Sequence, residues 1–98
     1  MTMIFDNDLL AYNQGLELYE KQKYGPAKEK FEDAIAVIDD QNSEISANAH
    51  FYVAECALEL FHKDAEFLLK EFIGNYSSSP RVEDAWFLLG SYNYRKKK

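Results

Sequence analysis

The sequence predicts an all-α fold of antiparallel helix hairpins, and three observations carry that prediction. Apolar residues recur at steps of three and four along the chain, as in Leu9, Tyr12, Leu16 and Tyr19 or Ala27, Phe31, Ala34 and Ile38. No stretch alternates polar with β-branched residues over a strand's length, and the periodic segments are divided by short polar or Gly/Pro-bearing breaks. Steps of three and four put side chains on one face of a helix, whereas a half-buried strand needs a period of two. Breaks this short force successive helices to run antiparallel.

Five helices are expected. The first covers 6–22, with Asp6 as its cap. The second, 25–39, opens at Gly25-Pro26, because proline suits a first helical position. It stops in the polar run Asp39-Asp40-Gln41-Asn42-Ser43, where Asn42 or Ser43 can cap the third helix, 44–61. That helix carries Ala54, Ala57, Leu58 and Phe61 on one face. The fourth, 63–76, follows a tight break at His62-Lys63-Asp64 and carries Ala65, Leu68, Leu69 and Phe72. The fifth, 80–96, has the clearest start: Ser79 as N-cap, Pro80 at the first helical position, then Glu83 and Asp84 where the helix dipole favours carboxylates. Its apolar face is Ala85, Leu88, Leu89 and Tyr92.

Composition narrows the function classes. Ninety-eight residues with 47% hydrophobic content make one domain at most and rule out a disordered chain. The single Cys excludes an internal disulfide framework. Apolar runs of a few residues do not insert in a membrane, and no cationic start leads into an apolar stretch of signal-peptide length. The net charge is -6 although four of the basic residues are the last four, Arg95 to Lys98, so the body is more acidic still. Such a body repels a phosphate backbone, and nucleic-acid binding by the fold is not expected.

The hairpins look like copies of one unit. Trp86-Phe87-Leu88-Leu89-Gly90 fits W-x2-L-G, and Ala27-Lys28-Glu29-Lys30-Phe31 fits A-x3-F, with Ala34 as the next small residue. Gly15 lies twelve residues before Ala27, and Ala54 and Gly90 follow Gly15 at intervals of 39 and 36. With these motifs the chain resembles the tetratricopeptide repeat family along nearly its whole length. The resemblance implies an α-α superhelix of about two and a half units, near 6–39, 44–76 and 80–98, the last one truncated, in a chain that is a piece of a longer array. Gly15, Ala54 and Gly90 would admit a close partner helix, Ala27 and Ala65 would do the same from the second helix, and Phe31 and Leu69 would fill the space between repeats. Trp86 would plug the contact between the second hairpin and the third unit. Departures include Gln14 before Gly15, Asp39 where the family often has Pro, and a second unit with Leu69 and Phe72 for the usual aromatic and small residue. The Tyr76-x2-Ser79 … Ala85-x3-Leu89-Gly90 pattern is similar to the linker of cell-envelope members, the outer-membrane assembly lipoproteins and the Tol–Pal coordinator. It points to a bacterial envelope location, with the cytoplasm open.

The side-chain pattern forms no catalytic or metal-binding constellation. His50 and Cys56 are six apart on one helix, which puts them on different faces and out of nucleophile–base reach. His62 and Glu66 at i, i+4 are two ligands, too few for a zinc site. Asp39, Asp40, Asn42 and Glu44 lack the order of a calcium loop. No enzyme activity and no cofactor is therefore expected.

In this family the first helix of each hairpin lines a concave surface. The resemblance places Tyr12, Leu16 and Tyr19, then Phe51, Glu55 and Leu58, then Phe87 and Tyr94 on that surface, edged by Glu20, Glu59 and Asp84. Flat side chains beside carboxylates suit a peptide or protein with apolar anchors and basic flanks. The expected role is a non-catalytic protein-interaction scaffold. A spacer segment that only holds a longer solenoid together stands as the alternative, with a regulatory domain of an enzyme behind it. The face carrying Ala85, Leu88, Leu89 and Tyr92 is expected to be partly uncovered and to pair with another copy.

Overall fold

A computed structural model describes the backbone over residues 2–97 and the side chains over residues 9–94. Among the described residues it is all-helical: α1 (Thr2–Glu20), α2 (Tyr24–Val37), α3 (Glu44–Glu59), α4 (Ala65–Asn75) and α5 (Val82–Lys97). Each helix packs on the next in chain order, so α1–α2 and α3–α4 form hairpins and α5 lies against α4 and α3.

The middle helix explains the layering. With α2 on one side and α4 and α5 on the other, α3 buries Ala47, Ala49, Phe51, Val53, Ala54, Cys56, Ala57 and Leu58, far more than a single-faced helix does. Between α1, α2 and α3 the core is Ala27, Phe31, Val53 and Cys56, with Tyr12, Leu16 and Tyr19 packed on it. Between α3, α4 and α5 it is Ala47, Phe51, Ala54, Leu69, Phe72, Ala85 and Leu89. The small residues act by proximity. A Cβ built on Gly15 would lie 2.8 Å from the Phe31 ring, so that ring occupies the space glycine leaves open. Ala27, Ala34, Ala54 and Ala65 are fully inaccessible to solvent.

A second signature of the repeat lies in the backbone. At the end of α1, Gln22 adopts φ 62°, the Lys23 amide donates to the Leu18 carbonyl (2.9 Å) and the Gln22 amide to that of Tyr19 (2.9 Å). At the end of α3, Phe61 adopts φ 60°, the His62 amide donates to Ala57 (2.9 Å) and the Phe61 amide to Leu58 (3.1 Å). These are two Schellman caps. They stand 39 residues apart, the same interval as Gly15 to Ala54. Neither cap has the glycine that a left-handed position favours, and an L side chain there costs about 1–2 kcal/mol. Phe61 is 79% exposed, so its ring recovers little of that cost by packing. Phe61→Gly is expected to raise stability by about 1 kcal/mol, read as a higher urea midpoint at unchanged slope.

The helix starts depart from the sequence reading at four places. The backbone of α1 is already helical at Asp6, because the helix begins at Thr2. Pro26 is the third residue of α2, still in the first turn, where a missing N–H leaves no bond unmade. Ser43 caps α3 as expected, its hydroxyl accepting from the Ser46 amide (3.1 Å). Ser79 instead closes a separate turn: its hydroxyl accepts from the Arg81 amide (3.1 Å), its carbonyl from the Val82 amide (3.1 Å), and α5 begins only at Val82. Helix α4 begins at Ala65, two residues later than expected, with Asp64 at the cap position and no side-chain bond there.

The loop between hairpins is pinned by polar contacts. Ser46 is fully buried, and its hydroxyl lies 3.3 Å from Gln41 Oε1 and 3.2 Å from the Tyr76 hydroxyl. The Tyr76 hydroxyl donates to the Gln41 carbonyl (2.7 Å), and Gln41 Nε2 donates to that of Ile38 (2.7 Å). Tyr76, singled out as a linker residue, thus ties the end of α4 to the loop before α3.

Candidate interaction surfaces

Two surfaces stand out, a cleft between α1, α3 and α5 and the outward face of α5. The cleft holds a cavity of about 270 Å3 lined by Tyr19, Phe51, Tyr52, Glu55, Arg81, Asp84, Phe87 and Leu88. Its floor is an aromatic cluster centred on Tyr52. That ring stacks on Phe31 at 4.9 Å and meets Tyr19 at 5.0 Å, Phe51 at 5.7 Å and Tyr12 at 6.5 Å. Arg81, from the turn before α5, closes one end. Its Nε donates to Asn48 Oδ1 (2.7 Å), its Nη2 donates to the Tyr52 hydroxyl (3.0 Å), and the guanidinium lies 4.8 Å from the Tyr52 ring centre and 5.3 Å from that of Phe51.

The electrostatics are set by Glu55. Burial raises its pKa above the usual carboxylate value, and the charges of Glu59 and Asp84 add to this; the hydrogen bond from Tyr19 and the charge of Arg81 oppose it. Tyr19 in turn is pushed up by its own burial and by Glu55. A carboxylate raised by desolvation gains when a cation enters beside it, because the cation favours the charged form. The cleft therefore offers aromatic walls, Tyr19 and Phe87, and two carboxylates, Glu55 and Asp84, to a cationic or amphipathic group.

The residues assigned to the concave surface divide into four environments. Tyr19, Glu55 and Phe87 line the cleft together. Phe51 is 3% exposed and forms part of its floor, and Leu58 is 1% exposed in a cluster with Ala57 and Ala65. Both are core residues and present no surface stripe, because α3 is covered on two sides where α1 and α5 are not. Tyr12 and Leu16 pack on the Phe31 cluster. Tyr94 lies on α5 away from the cleft, with Trp86 and Gly90. Sequence reasoning passed over Tyr52 and Arg81. Tyr52 falls off the apolar face that starts at Ala54, and Arg81 sits in a turn, where periodicity carries no signal.

The face of α5 expected to be partly uncovered is the better covered one, with Ala85 and Leu89 buried and Leu88 and Tyr92 partly buried. Ala85 and Leu89 are buried against Phe51 and Phe72, and Leu88 and Tyr92 pack beside Leu58. The opposite face is open: Trp86, Phe87 and Tyr94 are 57%, 74% and 66% exposed, and nothing lies within 4 Å of a Cβ placed on Gly90. Trp86 accordingly plugs no contact in this chain. The basic tail, Arg95 to Lys98, lies outside the residues whose side chains are described.

His50 and Cys56 have separate surroundings. The His50 ring sits 5.4 Å from Tyr76, while Cys56 is buried with Ala27, Phe31 and Val53 and its thiol is pushed up to about 12 by burial. Among the described residues no group of three or more His, Cys, Asp or Glu could hold a metal ion, and no helix is long and apolar enough to cross a membrane.

No family model matches the chain, and no solved structure matches it. A curated relative, a putative outer membrane protein assembly factor BamD of Aquifex aeolicus (strain VF5), is 28% identical over 79 residues. The match covers 80% of this chain and 26% of that protein, so the chain spans about a quarter of its relative's length. The described helices, packed hairpin on hairpin, form an α-helical repeat fold.

Proposed function

We propose that this chain is a tetratricopeptide-type segment of a protein-interaction scaffold, and that it holds a partner polypeptide in the cleft between α1, α3 and α5. The observation that carries the reading is the pairing of Tyr19 and Phe87 with Glu55 and Asp84 around one cavity. Aromatic walls supply contact area at low entropic cost, and the partly buried Glu55 carboxylate, with exposed Asp84 beside the same cavity, selects a basic residue. The partner segment is a short peptide with an Arg or Lys beside an apolar anchor. The likeness to an outer membrane protein assembly factor supports a place in assembly at the bacterial cell envelope, and supports a scaffold over an enzyme.

The test is a titration of fluorescent peptides carrying an Arg or Lys next to Leu or Phe. Phe87→Ser and Glu55→Gln are each expected to weaken binding by about tenfold, the loss of an interface residue worth about 1–2 kcal/mol. The pH profile gives a second readout. Glu55 takes up its proton above the ordinary carboxylate range, so affinity for a basic peptide should fall as pH drops through that raised value, and Glu55→Gln should flatten the fall. Equal affinity in both variants would remove the cleft as the binding site and leave the chain a spacer.

A further inference from the structure

We propose that the outward face of α5 is a self-association surface, on which a second copy of this chain docks its own α5 antiparallel about a two-fold axis. The face is built symmetrically about its middle. Gly90 and Ser91 form a small-residue centre, with Trp86 and Phe87 one turn before it and Tyr94 one turn after it. In an antiparallel pair centred there, the aromatics of one copy lie beside Tyr94 of the partner subunit, and Gly90 meets Gly90 of the partner subunit. No side chain then holds the backbones apart. The fold already contains a close approach of this kind: Gly15, two repeat registers earlier, admits the Phe31 ring from α2.

Charge selects a copy over another occupant. The first turn of α5 carries Glu83 and Asp84, and the sequence of its last turn is Arg95-Lys96-Lys97. Antiparallel pairing sets the acidic turn of each copy alongside the basic turn of the other, twice, by the same operation. A patch complementary to itself is the requirement of an isologous interface. Parallel pairing would set like charges together at both ends.

The area sets the strength. A fully buried aromatic removes about 150–250 Å2 from water, so three half- to three-quarter-exposed rings per copy give on the order of 800 Å2 for the pair. That is below the roughly 1,200–2,000 Å2 of a standard stable complex, so the dimer is weak and salt-sensitive.

Sedimentation velocity over about 10 µM to 1 mM tests the proposal, since affinities of weak interfaces fall in that range. At low salt the mass should rise toward that of a dimer, and the rise should shrink in 0.5 M salt. Trp86→Ser with Tyr94→Ser should weaken association at least tenfold at unchanged helicity, because both residues are exposed in the monomer. Glu83→Lys with Asp84→Lys should also weaken it, and adding Lys96→Glu with Lys97→Glu should restore it. A strict monomer across the range, a dimer indifferent to the aromatic pair, or a charge swap that fails to restore association would each overturn the proposal. So would a monomer that binds a synthetic helix of residues 24–38, since the face would then take an Ala-x3-Phe helix and not a copy of itself.

Discussion

Phe31→Ala is expected to cost about 3–5 kcal/mol, the range for deleting a buried aromatic. A domain of this size holds about 5–15 kcal/mol in all, so the variant should sit near the edge of folding at room temperature. The size of the loss follows from what the ring touches. Phe31 is fully buried, fills the space above Gly15, stacks on Tyr52 and meets Tyr12 edge-on at 5.8 Å. Collapse into the hole is blocked by small neighbours: Gly15 has no side chain to move, and Ala27 has none that can reach. The location of the loss is a sharper expectation than its size. Repeat arrays are stabilised by nearest-neighbour contacts. The Phe31 cluster and the Phe72 cluster are distinct, joined through Tyr52 and Leu68. Hydrogen exchange should therefore show α1 and α2 losing protection while α4 and α5 keep theirs. Uniform loss over all five helices would mean that the hairpins fold as one unit.

The pairing of Gly15 with Phe31 was legible in the sequence because both residues belong to a spacing that recurs, and the interval of 39 residues that links Gly15 to Ala54 returned independently in the caps at Gln22 and Phe61. Periodicity identifies an apolar face but not the neighbour that covers it. On α5 it identified the face Ala85-Leu88-Leu89-Tyr92, and whether that face is covered is decided by tertiary packing. The same limit explains Phe51 and Leu58. Register places them with exposed Phe87 and Tyr94, yet register is blind to α3 lying between two hairpins. The cleft was half visible. Tyr19, Glu55 and Phe87 come from repeat positions, whereas Arg81 is joined to Asn48 and Tyr52 across about thirty residues by contacts that no local pattern encodes.

Arg81→Ala is expected to cost about 2–3 kcal/mol, with its effect concentrated on α5. Two charge-assisted hydrogen bonds and a guanidinium against aromatic rings are lost together, and a hydrogen bond to a charged group is worth about 1.5–3 kcal/mol and a partly desolvated cation–π contact about 1–2 kcal/mol. These terms overlap and Arg81 is partly exposed, so a loss well below their sum is expected. The position makes the loss specific. Arg81 stands at the first carbonyl of α5, which accepts from the Ala85 amide (2.9 Å), and its side chain fastens that end of the helix to Asn48 and Tyr52 of α3. Without it, α5 keeps its contacts with α4 but can swing away from α3, and Asp84 and Phe87 leave the cleft with it. Trp86 is the chain's single tryptophan and lies on α5, so its fluorescence should report the change. Arg81→Lys should recover only part of the stability, since an ammonium cannot reach both acceptors in the fixed fork that the guanidinium presents. If Arg81→Lys equals the parent chain, the contribution is charge alone and the fork geometry is incidental. If Arg81→Ala weakens peptide binding as much as Phe87→Ser does while the helix content holds, the placement of α5 is what opens the cleft to its partner.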